Sequence, residues 1–269
     1  MQDPGSWYIR MMIRKGRNAL GLSQRRIAEE IDRSTDTVRA WELGRHEIPA
    51  HSIENIAKAC GLDDEVVNYM LMVARARRNG TPIEADMRYN ALLLALGEEH
   101  AGDIFKWDAL LIPGPLQTRN YHYTVAREAE PGTDQWVDSG WNFKMARRSA
   151  IEGRSDRPKL QFLIGEMALL LLRQKSTQLY REQIDLLRKY SKRPGLRIRV
   201  LASAVRANQS NFDIYRPGDS RLAGPPFVYT EGHDWSRCIT DPAQFGSYDD
   251  FRKARWKQAI RIEDSRYDD

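Results

Sequence analysis

Apolar residues recur at spacings of three and four from Ser6 to about Arg78 with no sustained alternation, which predicts helix throughout that stretch. The pattern divides into five helices, over about 6–19, 23–31, 34–43, 52–60 and 64–78. Ser23, Ser34 and Ser52 stand where the N-caps of the second, third and fourth belong. Gly21, Gly44 and Gly61 fall just past helix ends, where a left-handed residue closes the last turn. The run "RARRNGTP" at 75–82 joins charge, Asn-Gly and Thr-Pro into a breaker, and the first domain ends there.

Beyond it the period changes. Segments 105–112, 160–166, 196–202, 211–217 and 226–232, bounded by Pro and Gly, read as strands. Helical stretches near 84–100, 116–129, 133–152, 176–192 and 242–260 separate them, so the second domain is mixed. The predicted fold is multi-domain: an all-α five-helix helix-turn-helix domain over 6–78 and a linker over 79–89, followed by a mixed α/β (α+β) domain over 90–262 and an acidic tail over 263–269.

Composition narrows the function classes. A 41% hydrophobic content supplies a globular core, and a net charge of +5 leans toward an anionic partner. Two cysteines, Cys60 and Cys238, without CxxC or Cys/His spacing, argue against a disulfide framework or a zinc site and for a reducing cytoplasm. The apolar runs at 91–96 and 167–172 are far shorter than the roughly 18 residues a membrane span needs, and no secretory segment is read at the start.

The chemistry lies between residues 21 and 49. Two short helices joined by a tight turn must cross closely, and Ala28 supplies the small residue at the crossing. Ile31, Val38 and Trp41 close the seam, with Ile27, Leu43 and Ile48 completing a thin core. The outward residues of the second helix are then Thr35, Asp36, Arg39 and Ala40, the candidate base readers. Arg39 suits guanine by a bidentate bond, Asp36 suits cytosine N4 and the Thr35 methyl suits thymine. Residues 10–45 hold nine Lys or Arg against five Asp or Glu, an excess compatible with phosphate contacts but not demanding them. Arg25, Arg26, Arg33, Arg45 and His46 therefore read either as backbone contacts or as a solvated face, with Ser34 and Thr37 beside them as candidate backbone contacts.

Arg17, "GLSQ" at 21–24, Ala28, "STDTV" at 34–38, Glu42 and Gly44 resemble the helix-turn-helix family of phage-repressor and Xre type over residues 10–62. The resemblance implies that Arg17 pairs with Glu42 to fix the recognition helix, and that Gln24 with the adjoining helix N-terminus clamps a phosphate. Two positions depart from the family: Asp32 replaces the usual turn glycine and Arg33 the usual aliphatic residue.

The second domain, through "IPGPLQT" at 112–118, "REQIDLLRKYSKRPGLRIRVL" and "FVYTEG", resembles the C-terminal domain of actinobacterial regulators known by the provisional label DUF5753. That resemblance implies a small partner protein encoded nearby, in some pairs toxin-like against an antitoxin-like regulator. Taken by itself, "IPGPLQT" is a strand end turning into a helix, a structural corner first and a ligand pocket as the sharper alternative. Of the aromatics able to line such a pocket (Trp107, Tyr121, Tyr123, Trp136, Trp141, Tyr229 and Trp235), most are expected in the core.

His46, His51, His100, His122 and His233 show no metal spacing, and the nucleophile-elbow, phosphate-loop and dinucleotide motifs are missing. Glu166, Glu231, His233, Asp234 and Cys238 are the only strand-end set worth watching, so neither catalysis nor a metal nor a cofactor is expected. The reading is a cytoplasmic transcriptional regulator bound to double-stranded DNA at a palindromic operator. As a homodimer it places its two recognition helices about 34 Å apart. An antitoxin-like protein that mainly neutralises a small partner is the alternative.

Overall fold

Asp3 caps the first helix by accepting the N–H groups of Gly5 and Ser6, and Pro4 sets φ for α1 (Pro4–Ala19). The structure is a computed structural model that describes residues 3–79, 84–85, 87–129, 132–206, 209, 211–232 and 235–267. Ser23 caps α2 (Gln24–Glu30) through the Arg26 N–H at 3.1 Å, and Ser34 caps α3 (Thr35–Glu42) through the Thr37 N–H at 3.1 Å. Then come α4 (Ala50–Ala59) and α5 (Asp64–Asn79). Gly21, Gly44 and Gly61 all take left-handed φ, as their positions past helix ends require.

Two expectations for this segment are corrected. Ser52 does not cap α4, because Pro49, whose ring fixes φ near −60°, starts the helix earlier and leaves Ser52 buried inside it. Leu43 is not core. It ends α3 where Gly44 turns the chain outward, and it stays 51% exposed.

The first compact unit comprises residues 1–96, 224–227 and 231–240. The late segments join it for visible reasons. Phe227 packs on Trp7 at 6.4 Å, and β1 (Glu84–Ala85) pairs antiparallel with a strand at Ser236–Ile239, joining Ala85 to Ser236. Of the linker read over 79–89, residues 80–83 and 86 lie outside the described residues, as do His233 and Asp234. The division between units falls within α6 (Met87–His100).

In the second unit, β2 (Asp103–Asp108) ends earlier than its apolar pattern suggests, because the Asp108 carboxylate accepts from the Leu110 and Leu111 N–H groups and turns the chain. A 3₁₀ turn at Gly114–Leu116 leads into α7 (Arg119–Tyr121), a π-helical stretch over His122–Ala126 and α8 (Arg127–Ala129). Next are α9 (Asp134–Glu152), β3 (Lys159–Gly165), α10 (Glu166–Lys175), α11 (Thr177–Ser191) and β4 (Leu196–Leu201). The chain closes with β5 (Asn211–Arg216), β6 (Phe227–Glu231), β7 (Ser236–Ile239), α12 (Pro242–Gln258) and β8 (Ile260–Arg261). The acidic tail, as far as Tyr267, turns back on the domain: Tyr267 is buried with its carbonyl accepting from the Tyr180 hydroxyl.

Within this unit the strands run in the order β6-β5-β2-β3-β4-β8. β2, β3 and β4 are mutually parallel, while β5 and β8 are antiparallel to β2 and β4. β3 lies in the middle and is buried from Leu160 to Gly165, which explains its unbroken apolar run. The pleat sorts β2 and β5 into two faces. Phe105 and Phe212 on one face meet Tyr248, Phe251 and Trp256 of α12. Lys106, Asp213 and Tyr215 on the other meet α6 and α9.

That second face holds Glu98 with no exposure at all, its carboxylate bound by Arg147 through Nε at 2.6 Å and NH2 at 2.5 Å and by Lys106 at 2.8 Å. Lys106 also bonds Asp213 and the Tyr215 hydroxyl. Burial alone pushes the Glu98 carboxyl upward, but Arg147 and Lys106 together hold it down at about 2. A carboxyl lowered in the folded state contributes stability that is complete above its unfolded value near 4.5 and is lost as pH falls toward 2. Glu98→Gln is expected to cost about 3–5 kcal/mol at neutral pH by leaving buried Arg147 without its carboxylate, while Lys106 keeps Asp213. It should also flatten the fall in melting temperature between pH 4.5 and 2; an equally steep fall in the variant would assign the acid sensitivity to other groups.

Candidate nucleic-acid interface

Helices of seven and eight residues do not persist alone in water, so α2 and α3 depend on their seam. Ile27, Ala28 and Val38 are at most 1% exposed there and Trp41 5%, with Ala28 at the crossing. The turn between them carries Asp32 at φ +53°, a left-handed position that aspartate tolerates better than most residues, and the Arg33 N–H reaches back to the Ala28 carbonyl at 2.9 Å. The Arg33 side chain stays outside and donates to the Asp32 carbonyl.

The angle of α3 is fixed from α1. Arg17 grips Glu42 with two parallel bonds, Nε to Oε1 at 2.5 Å and NH2 to Oε2 at 2.9 Å, and its third nitrogen donates to the Leu22 carbonyl at 2.6 Å. The two side chains are only 12% and 4% exposed. Gln24 completes the cluster by donating one amide hydrogen to Glu42 at 2.8 Å, which leaves its second hydrogen and its carbonyl oxygen for an outside group.

With the inner side of α3 thus consumed, its outer side and the loop to Pro49 form a concave groove of about 650 Å³. It gathers Asp36, Arg39 and Ala40 of the base-reading set with Ser34, Thr37, Arg45 and His46 of the backbone set. Thr35, half-buried at the start of α3, is not among its lining residues. Arg25 points elsewhere, paired with Glu29 on the exposed side of α2 at 2.8 Å. The Ser34 hydroxyl is held as a cap and bonds the Thr37 hydroxyl at 2.8 Å, so both are positioned before any ligand arrives. Arg39 and Asp36 pair with each other at 3.1 Å while 55% and 88% exposed, an open contact that costs little to exchange for base edges.

One positioning device escaped the sequence. Arg77, in the last turn of α5, donates to Asp3 at 2.6 Å and to Glu47 at 2.5 Å, tying the loop that follows α3 to the N-cap of α1 and the end of α5. Its partners lie 74 and 30 residues away, and only the folded chain brings them together.

The corner "IPGPLQT" turns its polar groups inward. Gln117 donates to the Ile112 carbonyl and accepts from Lys144, and Thr118 caps α7. Gln183, fully buried on α11, bonds both the Thr118 N–H and the Leu116 carbonyl. Arg148 donates to the Pro115 and Gln117 carbonyls. The motif is therefore a structural corner. Trp107, Tyr121 and Tyr229 are buried, whereas Trp136 and Trp235 remain exposed. Burial raises both thiols, Cys60 to about 12, so neither is ionised near neutral pH. Glu231 and Cys238 belong to the first unit and Glu166 to the second.

Two family models match the chain. One, described as a helix-turn-helix domain, covers residues 12–70, and the other, described as a domain of unknown function (DUF5753), covers 92–267. No curated protein and no solved structure gives a match. No helix among the described residues is long and apolar enough to cross a membrane.

Arg17→Ala leaves the Glu42 carboxylate buried with only Gln24 to meet it, and is expected to cost about 3 kcal/mol or more in urea unfolding followed by circular dichroism. The double variant Arg17→Met/Glu42→Leu should recover much of that loss. Full additivity of the two single losses would show that the pair is not coupled.

Proposed function

The chain belongs to the DUF5753 family and carries a helix-turn-helix domain ahead of that domain, and from this premise we propose that it is a sequence-specific transcriptional regulator. The helix-turn-helix supports DNA binding at the coarse level. The observation that carries the finer reading is the groove on α3. Exposed Arg39 and Asp36 line it together with Arg45 and His46, on a helix whose tilt Arg17 and Glu42 hold rigid. Arg39 takes guanine, Asp36 accepts from cytosine, and Ser34, Thr37, Arg45 and His46 contact phosphates on either side. Thr35 and Gln24 stand at the entrance of their helices, where free N–H groups favour a phosphate. The protein acts by binding, without catalysis or a cofactor, in the cytoplasm with the DNA it reads.

Its second unit makes the homodimer through α10. Met167, Leu170 and Leu171 form a stripe at helical spacing and are 49%, 43% and 49% exposed, although Ala168, Leu169 and Leu172 bury the opposite side. Leu110, 57% exposed, is the neighbour of Ala109, whose carbonyl lies against Gly165 at the foot of the helix. A second copy suits this stripe because Glu166 and Arg173 lie two turns apart on the same flank. Antiparallel pairing sets each Glu166 against the other copy's Arg173. The partner protein or ligand that this unit senses then acts on a dimer whose two α3 helices read a palindrome.

Binding to fragments of its own promoter, compared with scrambled duplex across a salt series, is expected to show a preference of about a thousandfold or more. Arg39→Ala should lose about 1–3 kcal/mol at one base pair and relax the preference there. Equal affinity for both duplexes, collapsing with salt, would overturn the operator reading and leave a protein partner as the main function. Leu171→Glu should yield a folded monomer by sedimentation and weaken operator binding; an unchanged dimer would move the interface off α10.

A further inference from the structure

The edge of the second unit's sheet carries an arrangement that nothing in DNA reading requires. β8 pairs with β4 so that Arg261 stands directly opposite Arg199, with Arg197 two residues along the same face of β4. Like charges across a strand pair are destabilising. No carboxylate among the described residues forms an ion pair with Arg197, Arg199 or Arg261. Elsewhere in this unit Arg147, Arg154, Arg216 and Arg252 each have a carboxylate partner. Arg199 is anchored at one end, donating to the Trp256 carbonyl at 2.6 Å and lying over its ring at 4.9 Å. Burial and the neighbouring Arg261 and Arg197 hold its guanidinium below the ordinary arginine range.

These three arginines line a cavity of about 300 Å³ with Arg193, and Glu263 is its only acidic wall. Arg193 is neutralised separately by Glu152 at 2.9 Å. A single cation would suffice to keep an edge strand from pairing with another chain, so edge protection does not explain three on one face of this edge. The volume matches the low end of small-ligand sites, and planar guanidinium forks match phosphate oxygens two at a time. We propose that this cavity binds a small molecule through a terminal phosphate group, held by Arg197, Arg199 and Arg261. A concave site of this size favours a compact terminal group over the continuous backbone of a duplex, and the inference stands independently of the DNA reading.

Calorimetric titration of the full chain with inorganic pyrophosphate at fixed ionic strength tests it. Wild type is expected to bind at one site in the submillimolar range. Arg197→Gln and Arg261→Gln should each weaken binding about tenfold or more, the loss of one charge-assisted interaction. Both side chains are exposed, and Arg261→Gln relieves repulsion, so its melting temperature without pyrophosphate should equal or exceed that of wild type. Glu263→Gln should tighten binding several-fold, a gain that misfolding cannot mimic. Absence of pyrophosphate binding by wild type, equal affinity in the arginine variants, or a loss confined to duplex DNA would each overturn the site.

Discussion

A carboxylate taken out of water must be met there by cations, and among the described residues each unit of this chain buries one in that way. Glu42 and Glu98 are both buried, and each is held by a bidentate arginine with a further donor completing its shell. Such pairs contribute little net stability over a packed apolar substitute, since desolvation offsets most of the attraction. What they fix is geometry. A fork of two short bonds admits one orientation, so the helix that carries the acid cannot roll.

In the first unit that constraint acts on function. α3 is eight residues long and touches its neighbours along one side, so packing alone leaves its tilt soft. Arg17 sets the tilt at the C-terminal end through Glu42, while Ser34 sets the N-terminal end as a cap. Arg77 holds the loop beyond through Glu47. Three polar contacts from three directions thus leave the outer side of the helix free of structural duty. In the second unit the same chemistry joins α6 and α9 to the face of β2, with Arg154 closing the end of α6 on the Glu98 and Ala101 carbonyls.

What could be read from the sequence follows the range of the interaction involved. The five helices of the first unit, the caps Ser23 and Ser34 and the left-handed glycines depend on residues within a turn or two, and Arg17 with Glu42 is carried by the motif. α10 escaped because "MALLLL" is apolar on every side and shows no period, although only half of it is buried. β1 and β8, two residues each, are too short for any pattern, and β7 belongs to the first unit, where it pairs with β1. The groove on α3 was legible in its helical residues. Its clamp at Arg77 was not, because the partners come from the far ends of the domain.

The distribution of arginine pairs sharpens the meaning of a net charge of +5. Were the excess a matter of solubility, unpaired cations would be scattered over the surface. Several arginines of the second unit serve the fold: Arg147 and Arg154 on α6, Arg148 on the corner, Arg188 on the chain end, Arg216 and Arg252 on Asp249. Two groups of arginines without a carboxylate ion pair among the described residues stand out by their position. Arg45 has none among the described residues and lines the groove of α3, while Arg197, Arg199 and Arg261 crowd one cavity at the sheet edge. Repulsion within such a cluster falls when an anion from outside binds it, so a group of cations that folding leaves without a carboxylate is a place to test for a ligand.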